Sequence, residues 1–213
     1  MSQYNEISIL NSYFGEKKDG VVVEIGAAFH DTNSNSKFLI ERGWKALLVE
    51  PNRFFYNDLL KFYGSNNPNV HLENCCAFYK DIQEVKFYEY GQLSTMNEDF
   101  KNRVIEIGQS KDKWMDHNGE VKQGFIENKV KAYKTSKIIE KYFHYIDFLS
   151  IDCEGADFDV IKGLDFEKTH IQLICHEKQN DSSLNKEIQD YLYSFGFKYH
   201  ISNLGNVFYE KIN

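Results

Sequence analysis

Eight short apolar runs bounded by turn residues alternate along the chain with segments of helical period, and no other feature restricts the fold as much. Residues 21–25, 46–49, 70–73, 85–90, 148–151, 171–175, 199–202 and 206–210 read as strands, and 37–42, 54–63, 135–142, 156–162 and 184–195 as helices. Strands joined through helices run parallel, so the pattern predicts an α/β fold: a mostly parallel sheet with helices on both faces. Only Asn203-Leu204-Gly205 separates the last two runs, which places an antiparallel hairpin at the end of the sheet.

With 42% hydrophobic residues, 213 residues suffice for one domain with a full core, and a single domain over 1–213 is expected. Residues 91–130 break the pattern, being charged, weakly periodic and interrupted by Gly108, Gly119 and Gly124. They read as an insert or lid with a helix near 98–107 and with Trp114, Met115, His117 and Phe125 as substrate contacts; the competing reading is a solvated surface excursion.

The formal charge of −7 argues against a surface built for phosphate backbones, and so against a nucleic-acid partner, and favours a neutral, polar or cationic substrate. Cys75, Cys76, Cys153 and Cys175 have no C-x-x-C spacing and read as small buried hydrophobes of a reducing compartment, without disulfides or zinc. The first twenty residues lack a basic segment followed by a long apolar one, and no run is long enough to span a bilayer. A soluble, cytoplasmic chain is expected.

Chemistry is expected where the parallel strands end, because the ligand crevice of an open α/β sheet lies outside their carboxyl ends. The segment Asp147-Phe148-Leu149-Ser150-Ile151-Asp152-Cys153-Glu154-Gly155 puts two carboxylates and a glycine directly behind an apolar run. The first strand ends in Glu24-Ile25-Gly26-Ala27-Ala28, a nucleotide-type turn whose small residues admit a ligand to the backbone, although it lacks the G-x-G-x-x-G pattern. Glu50 closes the second strand, where an acidic side chain can accept hydrogen bonds from both hydroxyls of a ribose, and Pro51-Asn52 turn into the next helix.

These residues resemble the S-adenosylmethionine-dependent methyltransferases of the FkbM type, across 20–209. Four blocks carry the resemblance: VVVEIGAAFHDTNSNSKFLIERGWKALLVEPN, HLENCCAFYKD, IDFLSIDCEGADFDVIKGLDF and IQLICHE with the closing hairpin. It implies a Rossmann-like class I methyltransferase fold with a seven-stranded sheet. Glu24, Gly26, Ala27 and Ala28 would then line the methionine part of S-adenosylmethionine, with Thr32 and Asn35 near its carboxylate or amino group. Glu50 would hold the ribose, and Pro51, Asn52, Cys76 and Ala77 would border adenine. Ser94 and Thr95 would close over the cofactor. His30 stands where members usually carry a second glycine, so it would present a bulkier wall. The acceptors known for the family imply O-methylation of a sugar hydroxyl in a glycan, polysaccharide or glycosylated metabolite.

Methyl transfer to a hydroxyl needs a general base or a metal that acidifies it. Asp152, Glu154 and His176 are the catalytic candidates, Asp152 or His176 as base. Asp152, His176 and Glu177 offer oxygen ligands and one imidazole to Mg²⁺ or Mn²⁺. Against these stand blander roles: Glu154 as a helix cap, His176 as a packed core histidine, and Phe158, Val160 and Ile161 as core contacts. A nicotinamide-dependent oxidoreductase, which would use Glu50 equally well, and a non-catalytic cofactor-binding module are the alternatives.

Overall fold

The computed structural model describes residues 5–31 and 34–212. Its central sheet takes β1 (Val21–Ile25), β2 (Lys45–Val49), β3 (Val70–Glu73), β9 (Tyr145–Ile151), β10 (His170–Glu177), β11 (Phe197–Ser202) and β12 (Asn206–Lys211), in the order β11-β12-β10-β9-β1-β2-β3. All neighbours are parallel except β12, which runs against both β10 and β11, the hairpin that the Asn203-Leu204-Gly205 link requires. The chain moves outward one way through β2 and β3, then returns to the other side of β1 with β9. That reversal opens a crevice between the ends of β1 and β9.

Successive strand residues face opposite sides, so each strand feeds two cores. Val22, Ala46, Leu48, Phe148 and Phe208 pack on one side with Leu10 of α1 (Glu6–Phe14), Leu39 of α2 (Lys37–Glu41) and Leu59 of α3 (Arg53–Tyr63). On the other side Val23, Leu47, Leu149 and Ile174 meet Ile138 and Ile139 of α5 (Thr135–Ile139), Val160 and Ile161 of α6 (Asp157–Lys162), and Ile188 and Leu192 of α7 (Ser182–Ser194). No helix among the described residues is long and apolar enough to cross a membrane.

The strand expected at 85–90 exists, but outside the central sheet. It belongs to β5 (Ile82–Glu89), which pairs antiparallel with β8 (Ile126–Lys134), itself parallel to β4 (Cys76–Phe78). Cys76, Phe87 and Ala132 form the small core of this second sheet. Residues 91–130 are correspondingly structured. They contain α4 (Glu98–Glu106), a 3-10 turn at Gln109–Lys111, the ribbon of β6 (Lys113–Met115) and β7 (Val121–Gln123), and the start of β8. Asn97 starts α4 by accepting the Phe100 N–H at 3.0 Å.

Candidate functional site

The floor of the crevice is a close backbone contact. Gly26 follows β1 with φ of 82°, and a Cβ built there would lie 1.8 Å from the carbonyl oxygen of Asp152, so no other residue fits without parting the two strand ends. The Asp152 N–H donates to Ile25 O at 3.0 Å, and the Gly26 N–H to Val49 O at 2.9 Å, which locks the ends of β9, β1 and β2 together.

Two non-glycine residues at this floor also adopt left-handed backbone: Ala28 (φ 47°) and Glu154 (φ 51°). Such conformations persist only where the surroundings hold them. The Ala28 N–H is held by Glu50 Oε2 at 2.9 Å. Glu154 is held from the segment ahead of α4: Thr95 Oγ1 donates to Glu154 O at 2.8 Å and Asn97 Nδ2 to Gly155 O at 2.6 Å.

Two joined cavities occupy the crevice. The first, with about 530 Å³ of empty space, is walled by Pro51, Phe55, Cys76, Ala77, Phe87 and Met96, with Glu50, Ser94 and Thr95 at its polar points. The second, of about 620 Å³, is polar and lined by Glu24, Ala27, Asn35 and Leu93; Gly26, Ala28, Gln92, Asp152 and Glu154 belong to both.

The carboxylates divide into two kinds. Glu24 is fully engaged, accepting from Asn35 N (2.8 Å), Ser34 Oγ (3.1 Å) and Ser36 Oγ, so it fixes the loop that enters α2; burial raises its pKa, and Asp152 adds to the rise. Glu50 accepts the Ala28 and Asn52 N–H groups at 2.9 and 2.7 Å, one on each oxygen, leaving a further lone pair on each. Burial pushes its carboxyl up to about 7, with Glu24 and Glu89 adding to the effect.

Asp152 and Glu154 receive no hydrogen bond on their carboxyl groups from the described residues. Burial lifts Asp152 to about 6, helped by the charge of Glu6; burial first, then Asp152, Glu177 and Asp157, lift Glu154 well above the usual carboxylate range. Glu154 does not cap α6, whose N-cap is Ala156 without a side-chain bond.

Several expected site residues lie elsewhere. His30 lines neither cavity: its Nδ1 sits 2.7 Å from Asp58 Oδ2, and its ring stacks on Phe62 at 4.0 Å. Asn52 caps α3 by accepting the Phe54 N–H at 2.9 Å and donates to Ser94 Oγ at 3.1 Å, thereby tying down the loop over the first cavity instead of lining it. Thr32 lies outside the described residues. His176 is a core residue: fully buried, stacked on Tyr209 at 5.7 Å, with Nδ1 on its neighbour's carbonyl, Glu177 O, at 2.8 Å, and pushed down to about 4 by burial. It lines neither cavity. Among the described residues no group of three or more His, Cys, Asp and Glu side chains is arranged to hold a metal ion, so the expected set of Asp152, His176 and Glu177 for Mg²⁺ or Mn²⁺ does not fit one. Phe158, Val160 and Ile161 are core contacts.

Sequence reasoning missed Phe55, Phe87, Met96, Gln92 and Leu93. The alternation of β5 could have marked Phe87 as buried, and the i, i+4 pair Phe55 and Leu59 of α3 could have marked Phe55; Gln92, Leu93 and Met96 come from loop positions that carry no periodic signal.

The family described as the methyltransferase FkbM domain matches residues 24–199. No curated protein matches the chain. Among solved structures it is similar to the METTL16 methyltransferase domain (TM-score 0.52, 10% identity, 98% of this chain and 67% of that one). It is also similar to a protein assigned as an RNA methyltransferase from Pyrococcus horikoshii (TM-score 0.50, 10% identity, 99% and 87%). A third is a protein assigned as a methylase from Haemophilus influenzae (TM-score 0.50, 11% identity, 99% and 90%). At such identities the likeness concerns the fold, which is that of the class I methyltransferases.

Proposed function

Since the chain belongs to the FkbM family of methyltransferases, enzymes dependent on S-adenosylmethionine, we propose that it methylates a hydroxyl oxygen, and that the hydroxyl belongs to a sugar of a glycan, polysaccharide or glycosylated metabolite. The observation that carries this reading is the pair of carboxyl groups, Asp152 and Glu154, beside the Gly26 cradle with no hydrogen-bond partner among the described residues.

The cradle and its neighbours fit the donor. The free lone pairs of Glu50 suit two ribose hydroxyls; Phe55, Cys76, Ala77, Phe87 and Pro51 form a slot for adenine; Gly26, Ala28 and Asn35 lead toward the polar cavity, where the amino-acid end belongs. Bound there, S-adenosylmethionine supplies a methyl group on a positively charged sulfur. The ionised carboxylate of Asp152 favours that charge, and Glu24 acts one layer out, holding Asn35 in place.

Asp152, with its carboxyl near 6, is ionised at neutral pH and takes the hydroxyl proton as the oxygen–carbon bond forms and the carbon–sulfur bond breaks. Glu154 keeps its own proton and donates a hydrogen bond, so adjacent carboxyls take opposite roles. His176 takes no part, because its ring is enclosed in the core. An uncharged acceptor matches the crevice: acidic groups repel phosphate, and the pairing of one base with one acid suits a neutral hydroxyl.

The test is direct. Mass spectrometry of glycans from cells with and without the protein should show one sugar that carries an extra methyl group only when the protein is present. Methyl transfer to a protein, a nucleic acid or a nitrogen would refute the sugar reading. S-adenosylhomocysteine binding without turnover on any glycan would favour the non-catalytic module.

A further inference from the structure

Next to the polar cavity a third, wider hollow opens to solvent, with about 790 Å³ of empty space, lined by Tyr90, Gln92, Leu93, Gln109, Asp112 and Trp114. Gln92 and Leu93 line it and the polar cavity alike, so the hollow leads to Asp152 and Glu154 past those two residues.

Its aromatic wall is fixed in advance. Tyr90 is 6% exposed, and its hydroxyl donates to Gln109 O at 2.8 Å and accepts the Asp112 N–H at 3.0 Å. Trp114 is half-buried, with Nε1 donating to Gly124 O at 2.9 Å, and its ring stands at 79° to that of Tyr90. Phe125 supports Tyr90 at a centroid distance of 4.9 Å. The protein's backbone thus uses the polar atoms of both aromatic residues, and what remains for a ligand is ring surface. Exposed Gln92, Gln109 and Asp112 surround that surface with amides and a carboxylate, and among the described residues no Lys or Arg lines the hollow.

A rigid aromatic surface ringed by amide and carboxylate groups is suited to a pyranose, whose C–H face packs on an indole while its hydroxyls reach the polar rim. We propose that this hollow is the acceptor subsite, and that it holds an uncharged hexopyranose residue against Trp114 with one hydroxyl directed past Gln92 and Leu93 toward Asp152. The subsite rests on the methyltransferase reading and deepens it by assigning the acceptor to a specific part of 91–130.

Saturation-transfer NMR on the full chain with S-adenosylhomocysteine bound tests it. The probes are the methyl glycosides of glucose, galactose, mannose, fucose and rhamnose, with uridine as a stacking comparator. At least one glycoside should bind with the strongest transfer to the C–H protons of one ring face. Trp114→Ala should weaken that binding at least tenfold and Trp114→Phe less, while S-adenosylhomocysteine affinity stays the same in all three proteins. Binding that is unchanged in Trp114→Ala, binding of uridine with no glycoside bound, or binding of S-adenosylhomocysteine with no glycoside bound would each overturn the subsite. Failure of the wild-type chain to bind S-adenosylhomocysteine would instead overturn the donor reading.

Discussion

Replacing Gly26 by alanine puts the geometry of the crevice to a quantitative test. The new Cβ starts 1.8 Å from Asp152 O and must reach at least 3.0 Å, so the ends of β1 and β9 have to separate by about 1.2 Å. Holding an L-residue at φ 82° costs about 1–2 kcal/mol. Losing the Asp152 N–H to Ile25 O bond costs about 1 kcal/mol more. A total of about 2–3 kcal/mol lowers the melting temperature of a chain this long by about 5–10 °C. The strand shift also displaces Asp152 relative to Glu50, and S-adenosylhomocysteine should bind at least tenfold more weakly. Gly119→Ala is the control: Gly119 has φ of 78° but nothing within 4 Å of its would-be Cβ, so it incurs the conformational cost alone. Differential scanning fluorimetry with and without S-adenosylhomocysteine compares the two. Equal melting temperatures and equal ligand-induced shifts for both variants would refute the argument that the close approach at Gly26 shapes the site.

Protonation gives two further predictions. Free Glu50 holds its proton up to about pH 7, whereas ribose hydroxyls favour the carboxylate, so affinity for S-adenosylhomocysteine should fall by up to about tenfold per unit as the pH drops below 7. Calorimetry at pH 5.5, 6.5 and 7.5 measures this, and a flat profile would contradict it. Because the same group ionises near 4.5 when unfolded, the unfolded chain binds fewer protons than the folded one between those values; the free protein should therefore lose stability as the pH rises from 5 to 7.5. Asp152→Asn should lower turnover at least 100-fold while changing S-adenosylhomocysteine affinity less than threefold, and the wild-type rate should rise with pH through about 6; comparable rates for variant and wild type would remove Asp152 from the chemistry. Thr95→Val and Asn97→Ala, which release the left-handed Glu154-Gly155 turn, should each lower the melting temperature by about 2–6 °C and reduce kcat with little effect on donor affinity. A change confined to stability would show that the turn's conformation is irrelevant to catalysis.

The central sheet was legible because its strands are near-continuous apolar runs and its helices carry their apolar residues at helical spacing; β1 and β3 fall at their expected limits. The second sheet was not. β4 is three residues long, and β8 alternates half-buried and exposed positions through Glu, Asn and Lys, so tertiary pairing with β5 decides its conformation where composition suggests a loop. In α1, Ile7, Leu10 and Phe14 follow helical spacing, a signal left unread. In the crevice, Gly26, Glu50 and Asp152 were legible as lining residues because each directly follows an apolar run. His30 and His176 were misplaced for a common reason. Position along a strand or turn says which end of the sheet a residue occupies, but not which way its side chain points, and Asp58 and Tyr209 settle that question.

A crystal structure of the protein with S-adenosylhomocysteine tests the central claim most directly. The two ribose hydroxyls should lie on the Glu50 carboxylate, adenine between Phe55 and Phe87, and the sulfur above Gly26 facing Asp152. A nucleoside bound elsewhere, or one in the crevice with its sulfur turned away from Asp152, would contradict the account.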